Sequence, residues 1–433
     1  MLQENWIPGQ DRNDKLHKIY VVMYDKRRNK MGDKKILAWL GLFLFLFTVC
    51  LVTVSGVSAA EKKEILVGAP NSLTGGGVMP AAEQKWAYEQ AVADINKKGG
   101  VFVKELNKKL PIKLILADDK SVPDGASGAM EKLIKMDKVD LTLSSDSTPK
   151  NMAAATIAEK YKVFFTCSRA WPEEIEKMNY KWVASFFFSP VGGAEVPFKI
   201  WNKLPEADRI KKPVLYMEDN QDGQAFGGAF KAMAEKHGYK FVMDDPYAPG
   251  AKTYSPQILK MKALDADAVL WLGNATDGIT LIREIKQMQT KLRYIHGWRG
   301  MWPTEFLKAL DKDSQYVVHD GFWTEKNGAP GAKELGERYT KAHGKDSVSI
   351  GQDYANVQML AMAIERAGSI DSAKVRSVYV GGEFKGTTQG DLKFNEKAVC
   401  YIESIGAQWW NGERMPIWPP NEKLWTLKLM PVQ

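Results

Sequence analysis

Short apolar runs alternate with amphipathic stretches along most of the chain. Residues 141–143 and 163–165 are apolar, have the length of a buried strand and are rich in residues that suit a packed sheet. Between them, Ala153, Ile157 and Tyr161 recur every four residues, which predicts one apolar face of a helix. A strand, helix and strand of this length predict that the two strands pair in parallel.

Both loops of this unit are polar. The first, residues 144–148, ends at Thr148 and Pro149, which are a typical N-cap and first helical residue. The second loop covers residues 166–171. Because both loops would leave the carboxyl ends of parallel strands, where open α/β sheets bind ligands, we expect a ligand site here.

The same alternation continues through much of the chain. Further strands are predicted at residues 65–69, 112–117, 214–217, 268–272 and 292–295, and helices at residues 224–237 and 277–288. This alternation predicts an α/β fold built from doubly wound sheets. Without a low-complexity linker, the domains must be joined by short crossings, which we place at 186–190, 321–325 and 399–406. The tail from Gln408 is rich in Trp and Pro and predicts short strands or wrapping coil.

Composition places the chain among globular proteins, with 45% hydrophobic and 26% charged residues. Its 433 residues suggest roughly two or three domains. The net charge is +8, but the first 60 residues hold 9 Lys+Arg and 5 Asp+Glu, so the remainder carries only +4. Since no basic stripe is interleaved with aromatic residues, we do not expect nucleic acid as a partner.

Residues 31–60 have the anatomy of a secretory signal peptide, with a basic start, an apolar core and a small-residue exit. They predict cleavage after Ala59 or Ala60 and a periplasmic location. The apolar run at residues 36–54 is long, so an uncleaved membrane anchor is the competing interpretation. Residues 1–30 match neither a signal nor a core. We interpret them as an upstream extension, with translation starting at Met31.

Catalysis, metal binding and a cofactor are not expected. The five histidines are scattered, with no HExxH and no metal-ligand spacing. Thr74 and the glycines after it match no phosphate-binding motif. Cys167 lies in the second polar loop, but nothing in the sequence places a base beside it. Whether Cys167 and Cys400 form a disulfide bridge stays open.

Six segments, in order along the chain, resemble the type I periplasmic solute-binding proteins of ABC importers, in particular the branched-chain amino acid binding group. One such motif would be weak, whereas the ordered set spans nearly the whole exported region. The segments are GAPNSLTGGG at 68–77, AYEQAVADINKKGG at 87–100, LSSDSTP at 143–149, TCSRAWPE at 166–173, YMEDNQDG at 216–223 and GTTQGDLKFNEK at 386–397.

The resemblance implies two α/β lobes joined by three crossings, with a ligand cleft between them that closes on binding. With the crossings above, lobe 1 is expected at 61–188 plus 322–400 and lobe 2 at 189–321 plus 401–433. The resemblance also implies that the solute is delivered to a permease in the inner membrane. We expect the binding protein itself to be monomeric.

By matching position, the resemblance places Ser145 in the first loop, and Ser168 with Ala170 in the second, at the family's site for the ligand carboxylate. Ser147 belongs to the same first loop. Helix capping alone would explain the hydroxyls of that loop. Capture of an anion by free helix N–H groups is the functional alternative, and we include it in the predicted site.

In the second lobe, Asp222 and Asn274 fall where the family usually offers aromatic residues to the cleft. Each also opens a predicted helix, so capping is the alternative role of both. Arg299 falls where amino acid binders usually place an acidic residue for the ligand's ammonium group. An arginine there would repel an ammonium, and a desolvated guanidinium is costly unless an anion meets it.

Arg169 and Arg299 together therefore favour an acidic solute over a zwitterion. Arg169 has an alternative, surface pairing with a neighbouring glutamate. Trp171 and Trp298 flank the two arginines and would stack on a planar acid, although lobe packing explains a tryptophan equally well.

These residues predict a non-enzymatic binding protein that captures a small organic acid between its lobes and presents it to an ABC permease. An amino acid or its amide is the first alternative solute, and Asp222 would then receive the amine. A membrane-anchored sensor domain with this fold is an alternative from another class of function. An enzyme is the remaining alternative.

Overall fold

The computed structural model of the protein describes residues 62–419 and 426–431. The predicted extension at 1–30, the predicted signal peptide at 31–60 and the competing anchor lie outside these residues. Within the two described ranges, no helix combines the length and the apolar character that crossing a bilayer requires.

Strands and helices alternate along the described chain. The strands are β1 Ile65–Asn71, β2 Val101–Val103, β3 Lys108–Leu110, β4 Ile112–Asp118, β5 Leu141–Leu143, β6 Phe165–Cys167, β7 Val183–Phe187, β8 Pro213–Met217, β9 Met243–Asp244, β10 Ala268–Gly273, β11 Tyr294–Arg299, β12 Val317–Gly321, β13 Glu383–Thr387, β14 Gly390–Lys393, β15 Val399–Tyr401, β16 Ile405–Trp410 and β17 Glu413–Trp418. The α-helices are α1 Val78–Lys97, α2 Pro123–Lys135, α3 Thr148–Tyr161, α4 Pro172–Met178, α5 Pro190–Asn202, α6 Gln221–His237, α7 Ser255–Ala263, α8 Ala275–Gln287, α9 Thr304–Leu310, α10 Ala332–His343, α11 Ile350–Ala367 and α12 Ser372–Tyr379.

Two large sheets organise the fold. The first has the strand order β15-β7-β6-β5-β1-β4 and is parallel throughout. The second has the order β17-β16-β12-β11-β10-β8-β9; it is parallel from β9 to β12, and β16 and β17 add an antiparallel edge. Every residue of β8 and β10 is buried, as expected of parallel strands covered by helices on both faces. The predicted α/β fold of two doubly wound lobes is therefore confirmed.

The chain passes between the sheets three times, after β7, after β12 and after β15. The predicted crossings at 186–190, 321–325 and 399–406 each include the end of the strand after which the chain changes sheet, and their extents stay a prediction. The first sheet thus takes its strands from residues 65–187 and 399–401, and the second from residues 213–321 and 405–418. The exact lobe boundaries given above stay a prediction.

The β5–α3–β6 unit pairs in parallel as predicted, but two details of the prediction were wrong. Strand β6 runs from Phe165 rather than from residue 163, because α3 continues to Tyr161 and Lys162 then takes a left-handed φ of 58°. The chain therefore reaches the sheet only at Phe165.

The buried face of α3 also differs from the prediction. Ala154, Ala155 and Ala158 are fully buried, whereas the predicted Ala153, Ile157 and Tyr161 are only partly covered. Helix α3 packs closely against α2, and small alanine side chains permit that approach. Tyr161 lies at the rim of this contact, where its hydroxyl donates to Glu131 of α2.

Helix α11 is the most enclosed helix of the first lobe. Thirteen of its 18 residues are buried, among them the polar Gln352, Asp353 and Asn356. Buried polar side chains need hydrogen-bond partners, and those of α11 find them in β6 and the loop after it, in β7 and in α1. This helix therefore shapes the candidate site.

Candidate functional site

The two predicted loops lie side by side, as parallel pairing of β5 and β6 requires. The Ser168 backbone N–H donates to Ser144 Oγ at 3.1 Å, and the two hydroxyls are 3.1 Å apart. Asn151, in the first turn of α3, joins the loops further. Its Oδ1 accepts from the Ser145 N–H at 2.7 Å, and its amide nitrogen donates to the carbonyls of Ser145 and Arg169 at 3.0 and 2.9 Å.

The Ser145 hydroxyl is used within the protein. Ser145 is fully buried and donates to Asp119, and Asp146 Oδ1 lies 3.0 Å from the same hydroxyl. Asp119 also accepts from Ser72 Oγ at 2.7 Å. Lys150, only 4% exposed, pairs with Asp146 and lies 3.7 Å from Asp119. Two carboxylates and one ammonium group thus surround the hydroxyl that was expected to hold a ligand carboxylate.

The second loop is held by a buried ion pair. Arg169 Nε donates to the two oxygens of Asp353 at 3.0 and 3.2 Å, and Nη2 donates to Oδ2. The Ser168 hydroxyl and the Gln84 amide donate to Asp353 Oδ1 at 3.0 and 3.4 Å. Burial acts to lower the pKa of Arg169, but the adjacent Asp353 outweighs it and raises the pKa. Arg169 is therefore tied to α11, with its guanidinium 5.8 Å from the Phe322 ring, and does not pair with a neighbouring glutamate.

The other predicted residues of these loops have different surroundings. Ser147 is half-buried at the N-cap position of α3, without a side-chain capping bond, and Ala170 is fully buried. The Trp171 backbone N–H donates to Thr148 Oγ1 at 3.2 Å. The Trp171 ring meets the Phe226 ring of α6 edge-on, with centroids 6.2 Å apart. Trp171 thus contacts the second lobe.

In the second lobe, Arg299 and Asp222 are brought together. Arg299 Nη1 donates to Asp222 Oδ2 at 2.7 Å, and Nη2 donates to Glu218, which is 2% exposed. Arg299 itself is 41% exposed. One guanidinium between two carboxylates leaves this group with a net charge of −1, so the repulsion of an ammonium expected at Arg299 is cancelled.

Asn274 caps helix α8, which was the alternative to ligand binding given for this residue. Its Oδ1 accepts from the Asp277 N–H at 3.0 Å, and its amide nitrogen donates to Asp277 Oδ2 at 2.9 Å. Trp298 is buried and stacks on His296 with centroids 4.0 Å apart. Local structure therefore accounts for Asn274, whereas Trp298 Nε1 has no hydrogen-bond partner among the described residues.

A cavity of about 190 Å³ lies between the lobes. Its wall combines charged, hydroxyl and aromatic side chains from both lobes. The lining residues are Met79, Pro80, Glu83, Arg169, Trp302, Pro303, Thr304, Glu305, Phe322, Lys345, Asp346, Ser347, Val348, Ser349 and Arg414. Of the nine residues predicted as the site, only Arg169 belongs to this wall.

Sequence reasoning missed five charged residues of the wall, namely Glu83, Glu305, Lys345, Asp346 and Arg414. Glu83 Oε2 accepts from the hydroxyls of Ser347 and Ser349 at 2.6 and 2.8 Å. Within residues 62–419 and 426–431, no cation pairs with Glu83. The motif at 68–77 pointed to the start of α1 but not to Glu83.

Arg414 is 8% exposed and stacks on the Trp409 ring at 4.7 Å. Its Nη2 donates to the Trp302 carbonyl at 2.5 Å and lies 3.4 Å from Asp346 Oδ1. Its Nε and Nη1 have no hydrogen-bond partner among the described residues. Burial lowers the pKa of Arg414, although the carboxylate of Asp346 opposes this effect.

We looked for a metal site and for a reactive thiol among the described residues. No group of three or more His, Cys, Asp or Glu side chains there is arranged to hold a metal ion. Cys167 and Cys400 are buried free thiols rather than a bridge. Burial raises the pKa of Cys167 to about 12, so this thiol stays protonated at neutral pH.

Two doubly wound lobes, three crossings and a small cavity walled by both lobes define a protein that binds a small molecule by enclosing it. The chain belongs to the periplasmic binding protein family, whose sequence model matches residues 64–398. The predicted family is therefore confirmed.

The individual relatives have low sequence identity to this chain, but the match extends over nearly the whole length of each relative. An amino acid binding protein of Pseudomonas aeruginosa is 23% identical, covering 83% of this chain and 96% of the relative. The branched-chain amino acid binding protein LivJ of Streptococcus pneumoniae, solved with isoleucine, has a TM-score of 0.68 and 18% identity, covering 81% of this chain and 98% of LivJ. A solute-binding protein of Rhodopseudomonas palustris, solved with 3,4-dihydroxybenzoic acid, has a TM-score of 0.66 and 18% identity. The match covers 82% of this chain and 95% of that protein.

Proposed function

We propose that this protein is the solute-binding component of an ABC importer, that it is exported to the periplasm, and that its solute is an amino acid. The solute binds between the lobes, and the complex docks on the permease. The family membership supports the general role. The supporting observation for the solute class is that the interlobe cavity offers hydrogen-bonding groups of both charges, a carboxylate and a guanidinium with open donors.

Glu83 and Arg414 are those groups. Glu83 accepts from two serine hydroxyls and has no paired cation within the described ranges. Arg414 is paired with Asp346 through Nη2 at 3.4 Å, but its Nε and Nη1 have no partner there. A zwitterion could donate from its ammonium group to Glu83 and accept from Arg414 through its carboxylate, whereas a lone carboxylate could use only Arg414.

The cavity volume agrees with a solute of this size. An apolar protein cavity of about 150 Å³ accepts benzene, and the interlobe cavity has about 190 Å³. This space suits a leucine-sized or benzoate-sized molecule. Trp302 and Phe322, with ring centroids 6.0 Å apart, provide an aromatic wall for its apolar part.

Binding would favour closure because the two lobes hold opposite ends of one molecule. A ligand shifts an equilibrium between open and closed forms only by its difference in affinity for them. Glu83 belongs to the first lobe and Arg414 to the second, so both contacts exist only when the lobes are together.

A small organic acid is the second candidate. It was favoured by Arg169 and Arg299, but both guanidinium groups have carboxylate partners inside the protein. What still supports an acid is the aromatic wall beside Arg414, together with the Rhodopseudomonas neighbour solved with 3,4-dihydroxybenzoic acid. Direct contact of the solute with the nine residues predicted from the sequence stays a prediction.

A thermal-unfolding panel separates the two candidates. The purified protein is heated with L-leucine, L-isoleucine, benzoate or 3,4-dihydroxybenzoate, with glucose as a neutral control. A true solute at 100 times its Kd should stabilise the fold by about 2.7 kcal/mol. We expect the amino acids to raise the unfolding temperature most. Stabilisation by the benzoates alone would reverse the order of candidates, and stabilisation by glucose alone would remove both.

A further inference from the structure

We infer that the loop between α10 and α11, residues 344–349, is a clasp that joins the two lobes, and that Asp346 is the positioning residue at its centre. The clasp belongs to the first lobe, because α11 packs against α1 there. Its residues Lys345 and Asp346 contact the second lobe beside the cavity. These contacts are made within the protein, so they hold the lobes together before any solute arrives.

The clasp is fastened to the first lobe by its two serines. The Ser347 and Ser349 hydroxyls donate to Glu83 Oε2 of α1 at 2.6 and 2.8 Å. Ser347 Oγ also accepts from the Ser349 backbone N–H at 3.1 Å. Both serines are buried. The two residues that precede Ser347 are therefore presented to the second lobe by a fixed segment of the chain.

Asp346 makes the central contacts with the second lobe. Its Oδ1 accepts from Thr304 Oγ1 of α9 at 3.1 Å and lies 3.4 Å from Arg414 Nη2 of β17. Arg414 is buried, and a buried charge is costly without a counter-charge. Among the described residues, Asp346 supplies the only carboxylate within ion-pair distance of Arg414. Separation of the lobes would break this pair.

A second and weaker link lies beside Asp346. Lys345 Nζ is 3.1 Å from Oε1 of Glu305, which lies in the first turn of α9. The side chain of Lys345 is 21% exposed and that of Glu305 is 50% exposed. An ion pair this accessible to water contributes little by itself. Two consecutive residues of the clasp thus meet two consecutive residues of α9, and Asp346 contributes most of the attraction.

The position of the clasp connects it to solute binding. Thr304, Glu305, Asp346 and Arg414 all line the interlobe cavity. Loss of their contacts would therefore open the wall of the cavity itself. Since apparent affinity falls with the fraction of molecules that can bind, a clasp that keeps the cavity assembled raises affinity without touching the solute.

Pulsed electron paramagnetic resonance measures the distance between the lobes without solute. Spin labels are attached to Met136→Cys in the first lobe and Leu259→Cys in the second, both exposed, whereas the native Cys167 and Cys400 are buried. We expect one main distance when the clasp is intact. Asp346→Ala should raise a second distance from about one tenth to about one third of the molecules, which is an about fivefold change in the equilibrium.

The same change should speed the release of L-leucine about fivefold, measured by stopped-flow, with a much smaller effect on association. Direct contact of Asp346 with the solute would also speed release, but it would not alter the distance measured without solute. Lys345→Met combined with Thr304→Val leaves the carboxylate beside Arg414. This double variant should give a smaller shift in the same direction, and it carries the test if Asp346→Ala does not fold.

Asp245→Ala is the matched control, because Asp245 pairs with Lys260 at 2.6 Å inside the second lobe. It should keep the wild-type distances. If Asp346→Ala, or the double variant in its place, also keeps them, the clasp is refuted while the proposed function stands. If L-leucine fails to bind the wild type, the proposed solute class falls, and the distances measured without solute still decide whether Asp346 joins the lobes.

Discussion

Asp320 in β12 is fully buried, and neither of its carboxylate oxygens has a hydrogen-bond partner among the described residues. Burial raises its pKa well above the ordinary range, because an ionised carboxylate is unfavourable in an apolar environment. His319 and His296 lie in the same sheet, and burial lowers the pKa of both. The second sheet therefore contains titratable groups that folding keeps neutral.

Thermodynamic linkage determines whether each of these groups makes the fold more or less stable as the pH rises. Since the folded-state pKa of Asp320 is raised, its contribution to stability is complete below the unfolded pKa of about 3.9 and is lost as the pH rises through the folded-state pKa. For the histidines the folded-state pKa is lowered, so their contribution is complete above about pH 6.5 and is lost as the pH falls.

We predict that Asp320→Asn stabilises the protein increasingly as the pH rises. The amide cannot ionise, so the variant avoids the cost of keeping a carboxyl protonated. Because burial raises the folded-state pKa of Asp320, we expect the advantage of the variant over the wild type to be larger at pH 7 than at pH 4. Thermal unfolding from pH 4 to pH 8 measures it. Asp320→Ala should show the same pH slope, and a difference that does not change with pH would contradict the prediction.

At the scale of elements, the Arg169–Asp353 pair fastens the loop after β6 to helix α11. Both side chains are nearly or fully buried, at 6% and 0% exposure. The pair lies at the wall of the cavity, so it fixes the shape of the first lobe where a solute would enter. Removing one partner leaves the other charge buried without a counter-charge.

We predict that Arg169→Met or Asp353→Asn alone destabilises the protein by about 3 to 5 kcal/mol, because breaking a buried pair is far more costly than replacing it. The double variant should recover a large part of this loss. Urea unfolding of the four proteins gives the coupling energy as a double-mutant cycle. The exposed pair Glu174–Lys177, at 2.8 Å, is the control and should contribute less than about 1 kcal/mol. Additive effects at Arg169 and Asp353 would contradict the expected coupling.

These elements also show which features of the fold could be predicted from the sequence. Apolar runs, helix starts and the order of strands and helices predicted the two sheets and the adjacency of the two loops, because these depend on local pattern and parallel pairing. The partners that occupy the loops were not predictable. Asp119 lies 26 residues from Ser145, and Asp353 lies 184 residues from Arg169.

Arg414 was missed for a related reason. The Trp-rich and Pro-rich tail carries no periodicity that would place it as an edge hairpin beside β12, so its distance from the cavity could not be judged. Arg169 and Arg299 were predicted to bind an acidic solute because a sequence shows charges without their counter-charges. Only the folded arrangement shows that both guanidinium groups have carboxylate partners within the protein.

At the scale of the whole molecule, the two described lobes form the binding unit, and the predicted signal peptide precedes them. We predict that the mature protein begins near Glu61, since residues 31–60 have the pattern of a cleaved signal. Mass spectrometry of the protein from a periplasmic extract checks this. A membrane-bound product that retains residues 36–54 would favour the anchored sensor instead.

The wall of the cavity is assembled from residues as far apart as Met79 and Arg414. A growing polypeptide therefore lacks one side of its binding chamber until position 414 has been synthesised. Chains that end before residue 414 should therefore lack the complete cavity, and with it the proposed binding site.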